Sequence, residues 1–458
     1  MPFDKSLYRA YDIRGIYPSV INEEFAYLCA QAFARVMDAK KVAVGRDVRT
    51  SGASMQAAAI QGLVDLGVEV LDLGVISTEM LYFASGTLEI DGGFALTASH
   101  NPREWNGFKF VGKKGQPLVR EGKLGEIYAD IEAATPQKAA TPGTVTPTPL
   151  LADYAAYLQQ YVPEGLPQLK LVGNVNFGAN GKFVDAAIEG HPIEMIRLNW
   201  NEDGSFPKGT PDPLLPSNRK EISERIVTEG AHFGVAWDAD ADRCFFYDEK
   251  GRSFSGYYIN AVLIEHFLKV EPGASVVVEP RQIWATEAAA AAGGGTAVTS
   301  RTGHGFIKAT MRQANAIFGG ENSGHFYYRD FWYCDNGIIT FLTVLGIFAE
   351  QIKNGGTVSQ LLDGYKKNYP ASEELNFITD DAKGIIAALQ ARHPDAELSQ
   401  IDGVSLAEAD WRCNLRMSQN EPVLRLNVEA RTPEGLAERE ADLLAFILGH
   451  GASLRDDH

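Results

Sequence analysis

Cysteine is scarce in this chain, basic residues are outnumbered, and no long apolar run occurs. The 458 residues include four cysteines, Cys29, Cys244, Cys334 and Cys413. No two form a C-x-x-C pair, which argues against a zinc site. Scattered thiols in a large chain fit a reducing compartment better than a disulfide framework. No stretch of about 18 apolar residues is present, so no membrane-spanning helix is expected. Met1-Pro2-Phe3-Asp4-Lys5 lacks the basic region and apolar run of a signal peptide, so a cytoplasmic location is expected. Lysine and arginine number 42 against 59 aspartates and glutamates, a net charge of −17. That balance disfavours nucleic acid and anionic lipid as partners. An anionic ligand would need a locally cationic pocket, so each Arg or Lys beside a motif carries information. The composition is otherwise that of an ordinary globular protein, 45% hydrophobic and 22% charged. Its length predicts three or four domains at about 150 residues each.

Up to about residue 140, helical and strand patterns alternate. Leu28 to Val36 reads as helix, Lys41 to Gly45 as a buried strand, Ser54 to Leu66 as helix and Gly67 to Gly74 as strand. This is a βαβ unit. Gly93 to Thr97 is a further strand that runs directly into Ser99. Residues 135–149, rich in Thr, Pro and Ala, have the composition of an extended linker. A second αβ pattern begins at Leu169 to Asn174 and ends with the strand Phe233 to Trp237, which runs into an aspartate motif. After the turn signal Asp248-Glu249-Lys250-Gly251, a third is built on Ser275 to Val278, a helix from Gln282 to Ala292, and Ala316 to Gly320. From about residue 365 the pattern changes. Val423 to Ala430 alternates at period two and a helix from Pro433 to Leu448 follows, which reads as α+β. The expected architecture is three successive α/β domains (1–143, 144–246, 247–364) and a smaller C-terminal α+β domain (365–458).

Two motifs stand at the carboxyl ends of strands, where ligand sites in open α/β sheets lie. The first runs from Ser99-His100-Asn101-Pro102 to Asn106-Gly107-Phe108-Lys109. A serine hydroxyl is a weak nucleophile that needs activation, and no G-x-S-x-G elbow surrounds it. Neighbours in an extended segment point to opposite faces, so His100 is not expected to act as a base on Ser99. A bare serine here could equally be a turn or a helix cap. The clustering of polar groups with Gly107 and the cation Lys109 points instead to an anion. The second motif is Asp238-Ala239-Asp240-Ala241-Asp242-Arg243. Three carboxylates at alternate positions of a straight strand would span about 13 Å, too far to converge on one ion, so the segment must curl. Crowded carboxylates without a cation repel, and a divalent ion would resolve this. A solvated acidic turn is the plain alternative. A calcium loop ending at Glu249 fits poorly, because Arg243 stands where that loop needs Gly.

Two weaker loops are Gly319-Gly320-Glu321-Asn322-Ser323-Gly324-His325, suited to vicinal sugar hydroxyls or to a polar turn, and Arg416-Met417-Ser418-Gln419-Asn420-Glu421-Pro422, suited to a phosphate. Arg14 in Tyr11-Asp12-Ile13-Arg14-Gly15 and His304 in Thr302-Gly303-His304 are further candidates.

Taken in order with Pro213-Leu214-Leu215-Pro216, these motifs resemble the α-D-phosphohexomutase superfamily, most closely its bacterial phosphomannomutase/phosphoglucomutase branch. The resemblance covers essentially the whole chain. It implies four domains around a central cleft and a phosphoryl group carried on Ser99. It implies Mg²⁺ held by Ser99, Asp238, Asp240 and Asp242. Arg14, His100 and Lys109 would lie near the phosphoserine, with Arg14 and Lys109 assisting proton transfer, and Arg243 and His304 would join the site. Glu321, Ser323 and His325 would grip the sugar beside Arg281, and Arg416, Ser418, Gln419 and Asn420 would hold the phosphate that is not reacting. The implied reaction interconverts hexose 1-phosphate and hexose 6-phosphate, of mannose or glucose, with hexose 1,6-bisphosphate as intermediate and activator. A monomer or homodimer acting on small hexose phosphates is expected. Phosphoglucosamine mutase and a metal-dependent sugar phosphatase are the alternatives. Ala239 and Ala241 stand where the family usually has Gly, which requires negative φ at both. Gln419 and Asn420 depart from the usual phosphate loop, and Asn322 from the residues common in the sugar loop.

Overall fold

The computed structural model describes residues 3–133, 135–417 and 423–455. The chain divides into two compact units, Met1–Ser253 with Phe326–Ala349, and Phe254–His325 with Glu350–His458.

The first unit opens with a mixed six-stranded sheet. Its spatial order is Asp12–Ile16, Trp105–Gly112, Gly92–Leu96, Lys41–Arg46, Glu69–Val75 and Val145–Pro147. The apolar runs Val42-Ala43-Val44 and Phe94-Ala95-Leu96 are fully buried, as expected of strands covered on both faces. Val42, Val44, Phe94, Leu96, Phe108 and Phe110 share one core with Phe33 and Leu63 from the helices. The first helix starts earlier than its apolar periodicity indicates, at Glu23. Asn22 caps it by accepting from the Phe25 amide at 3.0 Å, a side chain-to-backbone bond that satisfies an orphan donor. The Thr-Pro segment supplies an edge strand, Val145–Pro147, parallel to Glu69–Val75. Proline lacks the N–H of an inner strand, but an edge tolerates it.

A second sheet in this unit is ordered Cys244–Tyr247, Phe233–Trp237, Leu169–Asn174 and Ile193–Leu198, the last three mutually parallel. Helix Pro216–Glu229 packs Ile222 and Ile226 against Val172, Ala236 and Phe245. It ends at Gly230, whose left-handed φ of 61° closes the turn. From the returning segment, Phe348 packs on Phe233 and Phe246, and Phe341 on Trp237.

In the second unit, strands Ser275–Val278, Thr296–Thr299 and Phe318–Gly320 pair in parallel; helix Gly256–Val270 precedes them, and helices Trp284–Ala292 and His304–Ala314 connect them. The C-terminal part is an antiparallel six-stranded sheet in which Val423–Ala430 pairs with Trp411–Met417 and Leu375–Ile378. Ile385 and Leu389 from one helix and Leu443 and Ile447 from another close its core. This is the expected α+β arrangement. Among the described residues no helix is long and apolar enough to cross a membrane.

Candidate active site

In the first unit the Ser99 loop leaves strand Gly92–Leu96 and meets the aspartate loop that joins Phe233–Trp237 to Cys244–Tyr247. Ser99 Oγ donates to Asp238 Oδ2 at 2.9 Å. Oxygens of Asp238, Asp240 and Asp242 all lie within 4.8 Å of one another. The segment has curled as the carboxylate spacing requires. Its close seating needs Gly178, where a Cβ would stand 2.3 Å from the Ala239 carbonyl. Strands Phe233–Trp237 and Cys244–Tyr247 pair as a hairpin, with Cys244 opposite Trp237. Cys244 to Tyr247 are therefore strand, and Glu249 lies beyond them, which removes the calcium-loop geometry.

All three carboxylates are buried. Burial pushes Asp238 up to about 7, against Arg243, while Asp242 and Asp240 add to the rise. Asp240 Oδ1 is buried without a hydrogen-bond partner among the described residues. A buried acceptor left open, in a set of hard oxygen donors, fits a divalent cation. Side chains also bring neutralising charge to the cluster. Lys109 Nζ lies 2.7 Å from Asp240 Oδ2 and also bonds Asp242. Arg243 Nε donates to Asp238 Oδ2 at 2.9 Å. Burial opposes both charges, but the carboxylates outweigh it and raise both pKa values. Arg14 donates to Asp12 at 2.8 Å and to Asn101 Oδ1 at 2.6 Å.

Two expectations are corrected. His100 does not turn away from Ser99: its Nδ1 lies 3.1 Å from Ser99 Oγ. Ser99 has φ +50°, so the chain turns there and the alternation of an extended segment does not apply. Burial, then the nearby Arg243 and Arg14, hold the His100 pKa well below 6.5, so the ring is neutral at pH 7. Ala241 does not keep a negative φ; it sits at +58°, a left-handed conformation costing about 1–2 kcal/mol for a residue with a Cβ. Gly107 permits a close backbone approach: a Cβ there would stand 1.9 Å from the Ile13 carbonyl.

Over residues 5–138, 152–251 and 255–369 the sequence matches the alpha/beta/alpha domains I, II and III of "Phosphoglucomutase/phosphomannomutase". The chain belongs to the phosphoglucomutase/phosphomannomutase family. It is 40% identical over 452 residues to a phosphomannomutase of Salmonella typhimurium, covering 96% of this chain and 98% of that one. Proteins of Xanthomonas campestris named phosphohexose mutases are 38% identical over 447 residues, with the same coverage. A phosphoglucomutase/phosphomannomutase family protein of Burkholderia thailandensis superposes with a TM-score of 0.87 at 28% identity, covering 99% of each chain.

The second unit of this phosphoglucomutase/phosphomannomutase family member gathers the remaining candidates. Glu321 is buried; it accepts from the Gly303 amide at 2.5 Å and from Ser323 Oγ at 3.0 Å, and pairs with His325 Nδ1 at 3.1 Å. Burial works to raise its pKa, but His325 and Arg281 hold it at about 2. Gly303 caps the helix that begins at His304, which brings His304 to the same loop. Arg281 is clamped on Glu279 at 2.6 and 2.8 Å and reaches Glu374 at 3.4 Å. Arg416 faces Asp402 at 3.6 Å and Glu374 at 4.0 Å. Ser418, Gln419 and Asn420 lie outside the described residues.

Sequence reasoning missed the groups that frame the Ser99 loop. Thr78 Oγ1 donates to Asp240 at 2.7 Å, and the buried pair Asp47 and Arg49 brackets Ser99. A signal was present. Asp47-Val48-Arg49-Thr50-Ser51 follows strand Lys41–Arg46 directly, as the Ser99 and Asp238 motifs follow theirs.

Proposed function

We propose that this mutase interconverts hexose 1-phosphate and hexose 6-phosphate, mannose or glucose, through a phosphoserine at Ser99. The observation that carries this reading is Ser99 Oγ at 2.9 Å from Asp238, inside a cluster of three buried carboxylates flanked by Arg14, Lys109 and Arg243. A hydroxyl among carboxylates alone would resist phosphorylation, since phosphoserine carries close to two negative charges. Asp238, Asp240, Asp242 and the Ser99 phosphoryl group would hold Mg²⁺, which when bound neutralises phosphoryl oxygens. Arg14, Lys109 and Arg243 add fixed positive charge at the transferring group, the kind of stabilisation that dominates phosphoryl transfer. With the Ser99 hydroxyl proton directed at Asp238, neutral His100 can donate its Nδ1 proton to Ser99 Oγ and so orient that oxygen. Glu321, Ser323 and His325, with His304 and Arg281, bind the sugar. Arg416, with Ser418, Gln419 and Asn420, binds the distal phosphate. Positioning of both ends supplies most of the rate. The phosphoryl group passes from Ser99 Oγ to a free sugar hydroxyl, giving the 1,6-bisphosphate. The other phosphate then returns to Ser99, so phosphate is conserved.

The test is intact-protein mass spectrometry of wild type and Ser99→Ala beside assays with mannose, glucose and glucosamine 1-phosphates, Mg²⁺ and catalytic bisphosphate. Wild type alone is expected to carry an added mass of about 80 Da, one phosphoryl group, and to form 6-phosphate. Release of inorganic phosphate instead would favour the phosphatase, and unchanged turnover in Ser99→Ala would sink the phosphoserine.

A further inference from the structure

Arg49 is 1% exposed, in an acidic chain where a buried guanidinium must be held by something. All five of its side-chain N–H donors have acceptors. Nε donates to Asp47 Oδ2 at 3.0 Å. Nη1 donates to the carbonyls of Pro102 at 2.6 Å and Trp105 at 3.0 Å. Nη2 donates to the carbonyls of Ser99 and Asn101, each at 2.7 Å. One planar group thus gathers four backbone carbonyls from the phosphoserine loop, and Phe206 covers it at 5.1 Å. Asp47 also accepts from Thr97 Oγ1 at 2.8 Å, and Thr97 Oγ1 accepts from the Ser99 amide at 2.9 Å. The peptide groups on both sides of Ser99 are therefore held, the N–H through Thr97 and the C=O through Arg49. Between them Ser99 sits at φ +50°. Such a conformation persists only where its surroundings over-determine it.

We propose that Arg49 is a positioning residue for phosphoryl transfer, holding Ser99 in the left-handed turn that aims Oγ at the aspartate loop. This rests on the mutase reading above. Arg49 contributes no group to Asp238, Asp240 or Asp242 through any of its five bonds, so it acts through the loop backbone. Lysine, with three donors on one nitrogen, cannot span four carbonyls and a carboxylate. Loss of the fork lets the turn relax, and misplacing a reacting atom by about 1 Å costs on the order of 100-fold in rate. The sugar and distal-phosphate contacts are untouched, so the loss falls on kcat rather than KM.

The experiment uses purified full-length phosphoenzyme, wild type and Arg49→Lys, with glucose 1-phosphate in steady-state and single-turnover assays. The single-turnover rate constant does not depend on the fraction of folded enzyme, so a merely structural role would leave it unmoved. Arg49→Lys is expected to transfer its phosphoryl group about 100-fold more slowly at an unchanged KM. Methylguanidinium is expected to restore part of that rate in Arg49→Ala. Should Arg49→Ala fail to fold, Asp47→Asn takes its place, with the same selective loss in the rate constant expected. A wild-type rate constant in Arg49→Lys, or a raised KM with kcat intact, overturns the proposal. Wild type that forms no 6-phosphate overturns the mutase reading instead, whatever Arg49 does.

Discussion

At the scale of single residues, buried charge decides what this protein tolerates. Glu321 is depressed to about 2 from an ordinary value of 4.5 because His325 and Arg281 more than offset burial. A carboxyl lowered on folding contributes stability that is complete above its unfolded pKa and is lost as pH falls toward its folded one. Wild type should therefore exceed Glu321→Gln by about 3 kcal/mol near neutrality. The gap should shrink between about pH 4.5 and about 2. Urea unfolding of both proteins at pH 7, 4 and 3 checks this, and a gap independent of pH would refute it. At the same scale, Ser99 and Ala241 are among the residues held in the left-handed region. Each sits in a loop of the candidate site, where strain is commonly stored.

At the scale of elements, one carboxylate joins three parts of the second unit. Glu429, on strand Val423–Ala430, accepts from the Ile283 and Trp284 amides at 2.9 and 3.0 Å and so caps helix Trp284–Ala292. It also receives Tyr257 and the buried Arg412, whose Nη1 lies 2.7 Å away. Arg412 in turn donates to the carbonyls of Arg281 and Pro280 at 3.0 and 2.7 Å. Truncation in Glu429→Ala leaves a buried guanidinium unpaired, and a loss of about 3–5 kcal/mol is expected. Denaturant unfolding of the variant measures it; a loss under about 1 kcal/mol would mean water replaces the carboxylate. This strut was not legible in the sequence. Val423 to Ala430 reads plainly as a strand by its alternation, but nothing in that period says that Glu429 faces a helix end more than a hundred residues earlier. The strands that run into Ser99 and Asp238 were legible, because an apolar run followed at once by polar residues is a local pattern. The Asp47 to Ser51 segment has the same pattern, but its chemistry is backbone bracing, which no row of like groups announces.

At the scale of the whole molecule, the proposed metal site belongs to one of the two compact units. The Ser99 loop comes from its first sheet and the aspartate loop from its second, so an ion there would tie two sheets together. At 100 times its dissociation constant, a ligand that binds only the folded state stabilises by about 2.7 kcal/mol. Scanning calorimetry in EDTA and in Mg²⁺ is expected to show the melting of this unit shift upward while that of the Phe254–His325 and Glu350–His458 unit stays in place. Asp240→Asn should abolish the shift. A shift in neither unit would count against the ion.

By itself the sequence determined the α/β class, the closing α+β domain, the family and the residue types proposed for the candidate site. These follow from period, composition and motif order, which are properties of neighbours along the chain. Tertiary structure alone decided that Ser99 Oγ meets a carboxylate 139 residues away. It also decided that His100 turns toward that oxygen, that Ala241 is left-handed, and that Arg49 holds the loop. Those outcomes depend on which groups distant segments bring within hydrogen-bonding distance. Such convergence can hold a dihedral angle that local preference alone would reject.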